Sequence, residues 1–171
     1  MLPRLKFWME AKNRHGIHSK FVYDFLDKSL YELSSNGCSP EQKLLLAAVL
    51  HFKPSCIGTS PSGRNLRAWL SEEGLTFQQG EVPYPFYITA TPDNHLEPLI
   101  SNPAIWDEDA IIFVGGIRSN GQTYKTWKKL CAMPEIRVSL ETFAAGLLCF
   151  RPKQAPQHFK IRLNSSIFRI G

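Results

Sequence analysis

The chain has 171 residues, of which 43% are hydrophobic and 20% charged, a composition typical of one globular domain with a substantial core. Its 20 basic and 15 acidic side chains give a formal net charge of +5, and no dense run of Lys or Arg is present. This mild basic excess permits weak attraction to nucleic acid, but we interpret it as a solvated surface, so nucleic-acid binding is disfavoured.

The cysteines and the longest apolar run indicate the cellular setting that we expect. Four cysteines occur, and none of them forms a C-x-x-C pair, which argues against a zinc ribbon or a thioredoxin-type site. The residues after Met1 lack the apolar stretch of a signal peptide, and the longest apolar run, 44–50, is too short to span a bilayer. We therefore expect a cytoplasmic protein with no membrane association and no bound metal.

The first 54 residues have helical patterns and are predicted to form an N-terminal helical extension. A short helix is predicted over 5–12, and a polar break over 13–18 precedes a second helix capped by Ser19. The string 39–42 combines a cap residue, a proline at the first helical position and a capping-box glutamine. It predicts a third helix that ends before Pro54, because the residue before a proline disfavours helical backbone angles.

From Ser55 onward strand and helix patterns alternate, which favours a mostly parallel sheet with helices packed on it. Helices are predicted around Leu66 to Leu70, over 96–100 and over 120–132, and strands are predicted at 55–58, 75–79, 86–90 and 110–114. The predicted fold class is therefore α/β.

The last part of the chain has a different pattern. Segment 136–140 alternates between apolar and polar residues, and segment 146–150 is apolar. Too few residues separate the two segments for a helical crossover. They should therefore pair as an antiparallel hairpin, and 158–163 is a candidate for an edge strand. We interpret 55–171 as one α/β domain that forms a single compact unit with the helical extension 1–54.

The turn after the first predicted strand has the form of a ligand-binding loop. That strand is connected to a helix by Thr59, Ser60, Pro61, Ser62 and Gly63. Such a unit places backbone N–H groups and a helix N-terminus where an anionic or polar ligand can bind. The serines do not form a G-x-S-x-G elbow, so we interpret them as helix-capping residues.

Several strings together resemble a group of bacterial class I S-adenosylmethionine-dependent methyltransferase-like proteins. They are 11–19, 21–25, 57–60, Asn94-His95, the strand that ends at Val114 and the closing helix and hairpin through Arg151. The opening string is fairly specific, whereas the turn at Gly58 alone is weak. The resemblance touches most of the chain and implies a reduced, Rossmann-like methyltransferase sheet whose last two strands form a hairpin.

The resemblance also implies a set of site residues. Gly58, Thr59 and Ser60 would contact S-adenosylmethionine through the loop backbone, with Gln79 or Glu81 at its ribose. Asp93, Asn94 and His95 would lie near the transferred methyl group as catalytic residues. Apart from the resemblance, the N-terminal group Arg14, His15 and His18 is a second candidate site, which would cap the pocket or form an anion site with Lys12; a purely structural turn is the alternative.

Four departures from the family pattern weaken the predicted cofactor site. Cys56 stands where the family has an acidic residue, and Gln79 where it has a glutamate. Gly115-Gly116 replaces paired aspartates, and the segment from Gln79 to Phe86 is too short for the strand and helix on which the adenine would rest. Losing two charge-assisted hydrogen bonds of roughly 1.5–3 kcal/mol each would weaken cofactor binding about a hundredfold to ten-thousandfold.

The sequence therefore favours a degenerate relative that has lost most or all methyltransferase activity and serves as a binding or structural module. The shortened middle segment should uncover a face or an edge of the sheet, which a second copy in a homodimer or an unknown protein partner would cover. Two alternatives remain: an active methyltransferase with weakly bound S-adenosylmethionine and an unknown substrate, and a weak nucleic-acid-binding protein.

Overall fold

The N-terminal third is helical, as predicted, in a computed structural model that describes residues 3–34, 37–78 and 80–163. Helix α1 (Pro3–Glu10) is followed by a 3-10 turn (Arg14–Gly16), helix α2 (Lys20–Phe25) with a π-helical turn (Leu26–Leu30), and helix α3 (Pro40–Phe52). Both predicted caps are confirmed: Ser19 Oγ accepts from Val22 N–H, and Ser39 and Gln42 form the capping box.

Within the described residues, six strands form one mixed sheet, which confirms the predicted α/β class. The strands are β1 (Gly58–Thr59), β2 (Tyr84–Thr89), β3 (Trp106–Val114), β4 (Val138–Glu141), β5 (Gly146–Cys149) and β6 (Gln157–Lys160), in the order β1-β2-β3-β5-β4-β6. Only β5 runs against the others, pairing antiparallel with both β3 and β4. The predicted hairpin is confirmed, and β6 extends the sheet as an edge strand parallel to β4.

Helices cover both faces of the sheet. On one face, α2, α3 and helix α4 (Arg64–Glu72) pack on apolar strand residues in a core that includes Phe25, Leu45, Leu70, Ile88 and Phe113. On the other face, helices α5 (Leu96–Ile100) and α6 (Gly121–Cys131) pack through side chains that include Leu96, Trp127 and Leu130. The N-terminal helices thus share a core with the sheet, and Lys12 also forms a bridge with Ile161.

The predicted strand at 75–79 is wrong, and its absence has a topological reason. Of its described residues, only Gln78 forms a bridge, to Cys56. After α4 the chain has already returned to the amino end of the sheet, where β2 begins at Tyr84. A full parallel strand at 75–79 would carry the chain to the carboxyl end and require a second crossover, and residues 80–83 are too few to make one.

Other strand bounds shift from the predicted ones. The first strand is Gly58–Thr59 rather than 55–58, because Cys56 pairs outward with Gln78 before the chain joins β2. Strand β3 begins at Trp106, four residues before the predicted start at Ala110. Within the described part of the chain, no helix is long and apolar enough to cross a lipid bilayer.

Candidate functional site

The candidate site lies where the parallel strands β1, β2 and β3 end. Ligands of open α/β sheets bind beyond the carboxyl ends of such strands. In this protein the segments that leave those ends are Ser60–Gly63, Ala90–Asp93 and Gly115–Gly116. The side chains around them decide whether a ligand has room to enter.

Three hydroxyl groups bond to one another at the ends of β1 and β2. Ser60 Oγ donates to Thr89 Oγ1 at 3.0 Å and lies 2.9 Å from Ser62 Oγ, which lies 3.2 Å from Thr89 Oγ1. Backbone groups complete the cluster: Gly63 N–H donates to Ser60 Oγ, and Thr89 Oγ1 donates to the carbonyl of Thr91. Because these hydroxyls bond to one another, a ligand that bonded to them would have to replace one of these hydrogen bonds.

The turn that follows β1 packs directly on β2. Residues Pro61–Gly63 form a 3-10 turn, and a β-carbon added at Gly63 would overlap the carbonyl oxygen of Ile88. Ser60 caps this turn, which confirms the capping role predicted for it. The loop is therefore held against the sheet instead of arching over an open pocket.

Two tyrosine rings cover Gly58. A β-carbon at Gly58 would lie 2.6 Å from Tyr87 Cδ2 and 2.9 Å from Tyr84 Cγ, so the rings occupy the space that a side chain would take. Burial raises the pKa of the Tyr87 phenol, with smaller contributions from Tyr84 and the Asp93 carboxylate. The sequence pattern did not single out either tyrosine, although each is an aromatic residue in a predicted strand or next to one.

Glu41 reaches the end of β3 from helix α3. A β-carbon at Gly115 would overlap Glu41 Oε1, and the backbone N–H of Gly116 donates to the Glu41 carboxyl group. Burial raises the pKa of this carboxyl, and the hydrogen bond from Gly116 opposes the rise. Sequence reasoning treated Glu41 only as part of a helix start; the paired glycines, which leave room for a visiting side chain, were the available signal.

Arg118 and Glu141 form an ion pair beyond β3 and β4. Glu141 is 8% exposed and also accepts hydrogen bonds from Trp127 Nε1 at 3.0 Å and from the Tyr124 hydroxyl at 3.2 Å. The Arg118 guanidinium lies 3.8 Å from the ring centroid of Tyr124. This network fills the edge beside α1. Sequence reasoning missed Glu141 because Glu141 and Arg118 are far apart in the sequence.

The residues predicted to be catalytic form the turn that leads into α5. Asp93 Oδ1 accepts the backbone N–H of His95 at 2.9 Å, and the side chains of Asn94 and His95 are exposed. The structure therefore places all three after the carboxyl end of β2, as the prediction requires. The hydrogen bond from His95 N–H gives the Asp93 carboxylate a turn-stabilising role. The catalytic role of Asp93, Asn94 and His95 stays a prediction.

The described residues predicted to hold the cofactor lie on two segments of the chain. Gly58, Thr59 and Ser60 follow the course of β1, whereas Glu81 is exposed in the connection that enters the amino end of β2. Gln79 lies outside the described residues. The cofactor-binding role of these residues stays a prediction.

The N-terminal residues predicted to cap the pocket lie in and after the 3-10 turn between α1 and α2. His15 and His18 are exposed, and His15 N–H donates to Asn13 Oδ1 at 3.2 Å; the side chain of Arg14 lies outside the described part. Within residues 3–34, 37–78 and 80–163, no group of three His, Cys, Asp or Glu residues could hold a metal ion.

Comparison with known proteins adds no relative to this picture: the chain matches no protein-family model, no curated protein and no solved structure. Its candidate chemistry therefore depends on the site itself. That site offers a bonded hydroxyl cluster, a carboxyl group on a glycine pair and an aromatic cover over Gly58. The hydroxyl cluster and the Glu41 carboxyl group thus occupy the carboxyl edge with the protein's own side chains, and the two rings cover Gly58 beside it.

Proposed function

We propose that this protein is a degenerate, methyltransferase-like module that binds a partner and does not transfer methyl groups. The observation that carries the proposal is the filling of the carboxyl edge by Ser60, Ser62, Thr89 and Glu41, together with the tyrosine cover on Gly58. The mixed sheet with its antiparallel hairpin supports the predicted ancestry, since the resemblance implies such a hairpin.

Both the missing anchors and the filled space oppose cofactor binding. Cys56 and Gly115-Gly116 supply no carboxylate where the family pattern has acidic residues. A ligand that entered near Gly58 would also have to break hydrogen bonds within the hydroxyl cluster, each with a net contribution of about 0.5–1.5 kcal/mol. These costs add to the hundredfold or greater loss expected from the missing charged groups.

Calorimetric titration of the full chain with S-adenosylmethionine and S-adenosylhomocysteine tests the proposal. We expect no heat of binding at millimolar ligand. The variant Glu41→Ala/Tyr84→Ala, checked for folding by circular dichroism, removes the carboxyl group that fills the edge at Gly115 and one of the two rings that cover Gly58. Binding by this variant alone would locate the block in the side chains, whereas micromolar binding by the natural chain would overturn the proposal and favour the methyltransferase alternative.

A further inference from the structure

Among the described residues, the outer edge of β1 is unpaired beyond the preceding bridge between Cys56 and Gln78. In the register with β2, Ile88 pairs with Thr59, and Ser60 N–H donates to the Ile88 carbonyl. The alternation of a parallel ladder therefore directs the backbone N–H and C=O of Thr59 away from β2. Among the described residues, no backbone hydrogen bond satisfies these two groups, so the sheet has a free edge at Thr59.

A basic recess borders this edge. It has a volume of about 430 Å³ and is lined by Thr59 on β1 and by Arg64, Arg67, Ala68 and Ser71 on α4. Within the described part of the chain, neither guanidinium forms an ion pair. The recess thus combines an unpaired strand edge with two side chains that bind carboxylates well.

We infer that this recess, here called the β1 notch, receives an extended acidic segment of a partner protein, which adds to the sheet beside β1. The inference rests on the proposed function, since it names the kind of partner that the module binds. Backbone groups of the segment would pair with Thr59, and its Asp or Glu side chains would pair with Arg64 and Arg67. In the described part of the chain no strand lies between α4 and β2, and the bridge of Gln78 is to Cys56, which precedes Thr59, so the outer side of Thr59 is left unpaired there.

Charge favours an acidic partner over a second copy of this chain. Two copies that joined their β1 edges around a twofold axis would place the same notch on both sides. Arg64 and Arg67 of both copies would then lie in one interface, and like charges brought together in an interface cost several kcal/mol by order of magnitude. An acidic strand has the opposite charge and meets no such repulsion.

The test is an NMR titration of the ¹⁵N-labelled full chain with a blocked octapeptide of alternating valine and glutamate. Three comparison ligands are used: the same peptide with lysine for glutamate, free glutarate, and S-adenosylmethionine. We expect the acidic peptide to shift the amides of Thr59, Arg64 and Arg67 and to slow hydrogen exchange of the Thr59 amide. The variant Arg64→Glu/Arg67→Glu should bind it at least tenfold more weakly, while Lys125→Glu on the exposed side of α6 should bind it unchanged.

Four results would overturn the inference: no shifts at millimolar acidic peptide, equal binding of the lysine peptide, equal binding of glutarate without protection of Thr59, or protection of Thr59 that depends on protein concentration alone. The last result would indicate a homodimer through β1. Shifts caused by S-adenosylmethionine around Gly58 and Gly115 would instead overturn the proposed function, so the two failures can be told apart in one set of spectra.

Discussion

Gly63 lies so close to Ile88 that no side chain can stand between the turn after β1 and the backbone of β2. An added β-carbon would overlap the Ile88 carbonyl oxygen, which is backbone and cannot move aside as a flexible side chain would. The backbone angles of Gly63, φ −82° and ψ −7°, are open to any residue. Glycine is therefore required at position 63 by packing alone, and the same packing holds the loop against β2.

The substitution Gly63→Ala should destabilise the protein by about 2–3 kcal/mol, because the extra methyl group forces the turn away from β2. Urea denaturation followed by tryptophan fluorescence measures the change in the free energy of unfolding. Gly121→Ala is the matched control: Gly121 begins α6 and has no atom within 4 Å of an added β-carbon. It should raise stability by about 0.4–1 kcal/mol. Equal effects of the two substitutions would contradict the packing argument.

Glu141→Gln should lower the free energy of unfolding by about 3 kcal/mol, since it leaves the Arg118 guanidinium without its counter-charge in a mostly buried site. The matched substitution Glu97→Gln breaks the pair with Lys129, whose side chain is 65% exposed, and should change stability by less than about 1 kcal/mol. Chemical denaturation of both variants makes the comparison. If Glu141→Gln lowered the free energy of unfolding no more than Glu97→Gln, the buried ion pair would contribute little to stability.

The stability gained by Glu41→Gln should depend on pH. Burial raises the pKa of the Glu41 carboxyl in the folded protein above its ordinary value of 4.5. The contribution of this group to stability is therefore fully present below pH 4.5 and is lost as the pH rises through the folded-state pKa. Glutamine cannot ionise, so the variant should be more stable than the natural chain at neutral pH.

Thermal unfolding of the natural chain and of Glu41→Gln between pH 3.5 and pH 8 checks the direction of this pH dependence. The difference in stability should shrink as the solution is acidified and vanish below pH 4.5, the ordinary value of the carboxyl pKa. Glu72→Gln on the exposed surface of α4 controls for the general effect of removing one negative charge from a basic protein. A difference that grew on acidification would mean that the Glu41 carboxylate is stabilised, not penalised, in its folded environment.

Local sequence signals predicted most of the elements, because caps and apolar periodicity act over a few residues. Ser39 and Gln42 marked the start of α3, and the spacing of the last two apolar segments required an antiparallel hairpin. The strand at 75–79 was predicted wrongly since its alternation is local, whereas a strand also needs a neighbour and a return path. Whether residues 75–79 form a strand is decided by the way the chain connects α4 to β2.

The candidate site could be located but not described from the sequence. The turn at Ser60–Gly63 and the chain after β2 were expected at the carboxyl edge, and both lie there. The side chain that fills the edge at Gly115 was not foreseen, since Glu41 comes from a helix far from Gly115 in sequence. The ring that covers Gly58 was not foreseen either, since Tyr84 comes from the neighbouring strand.

The sequence by itself determined the α/β class, the capped N-terminal helices and the C-terminal hairpin, each through interactions between residues close along the chain. The tertiary structure alone decided that hydroxyls and the Glu41 carboxyl group fill the carboxyl edge, that aromatic rings cover Gly58 and that, among the described residues, β1 keeps a free edge beside Arg64 and Arg67. The physical reason is that these outcomes depend on contacts between segments brought together only by folding, where the space left by one glycine is filled by a distant side chain.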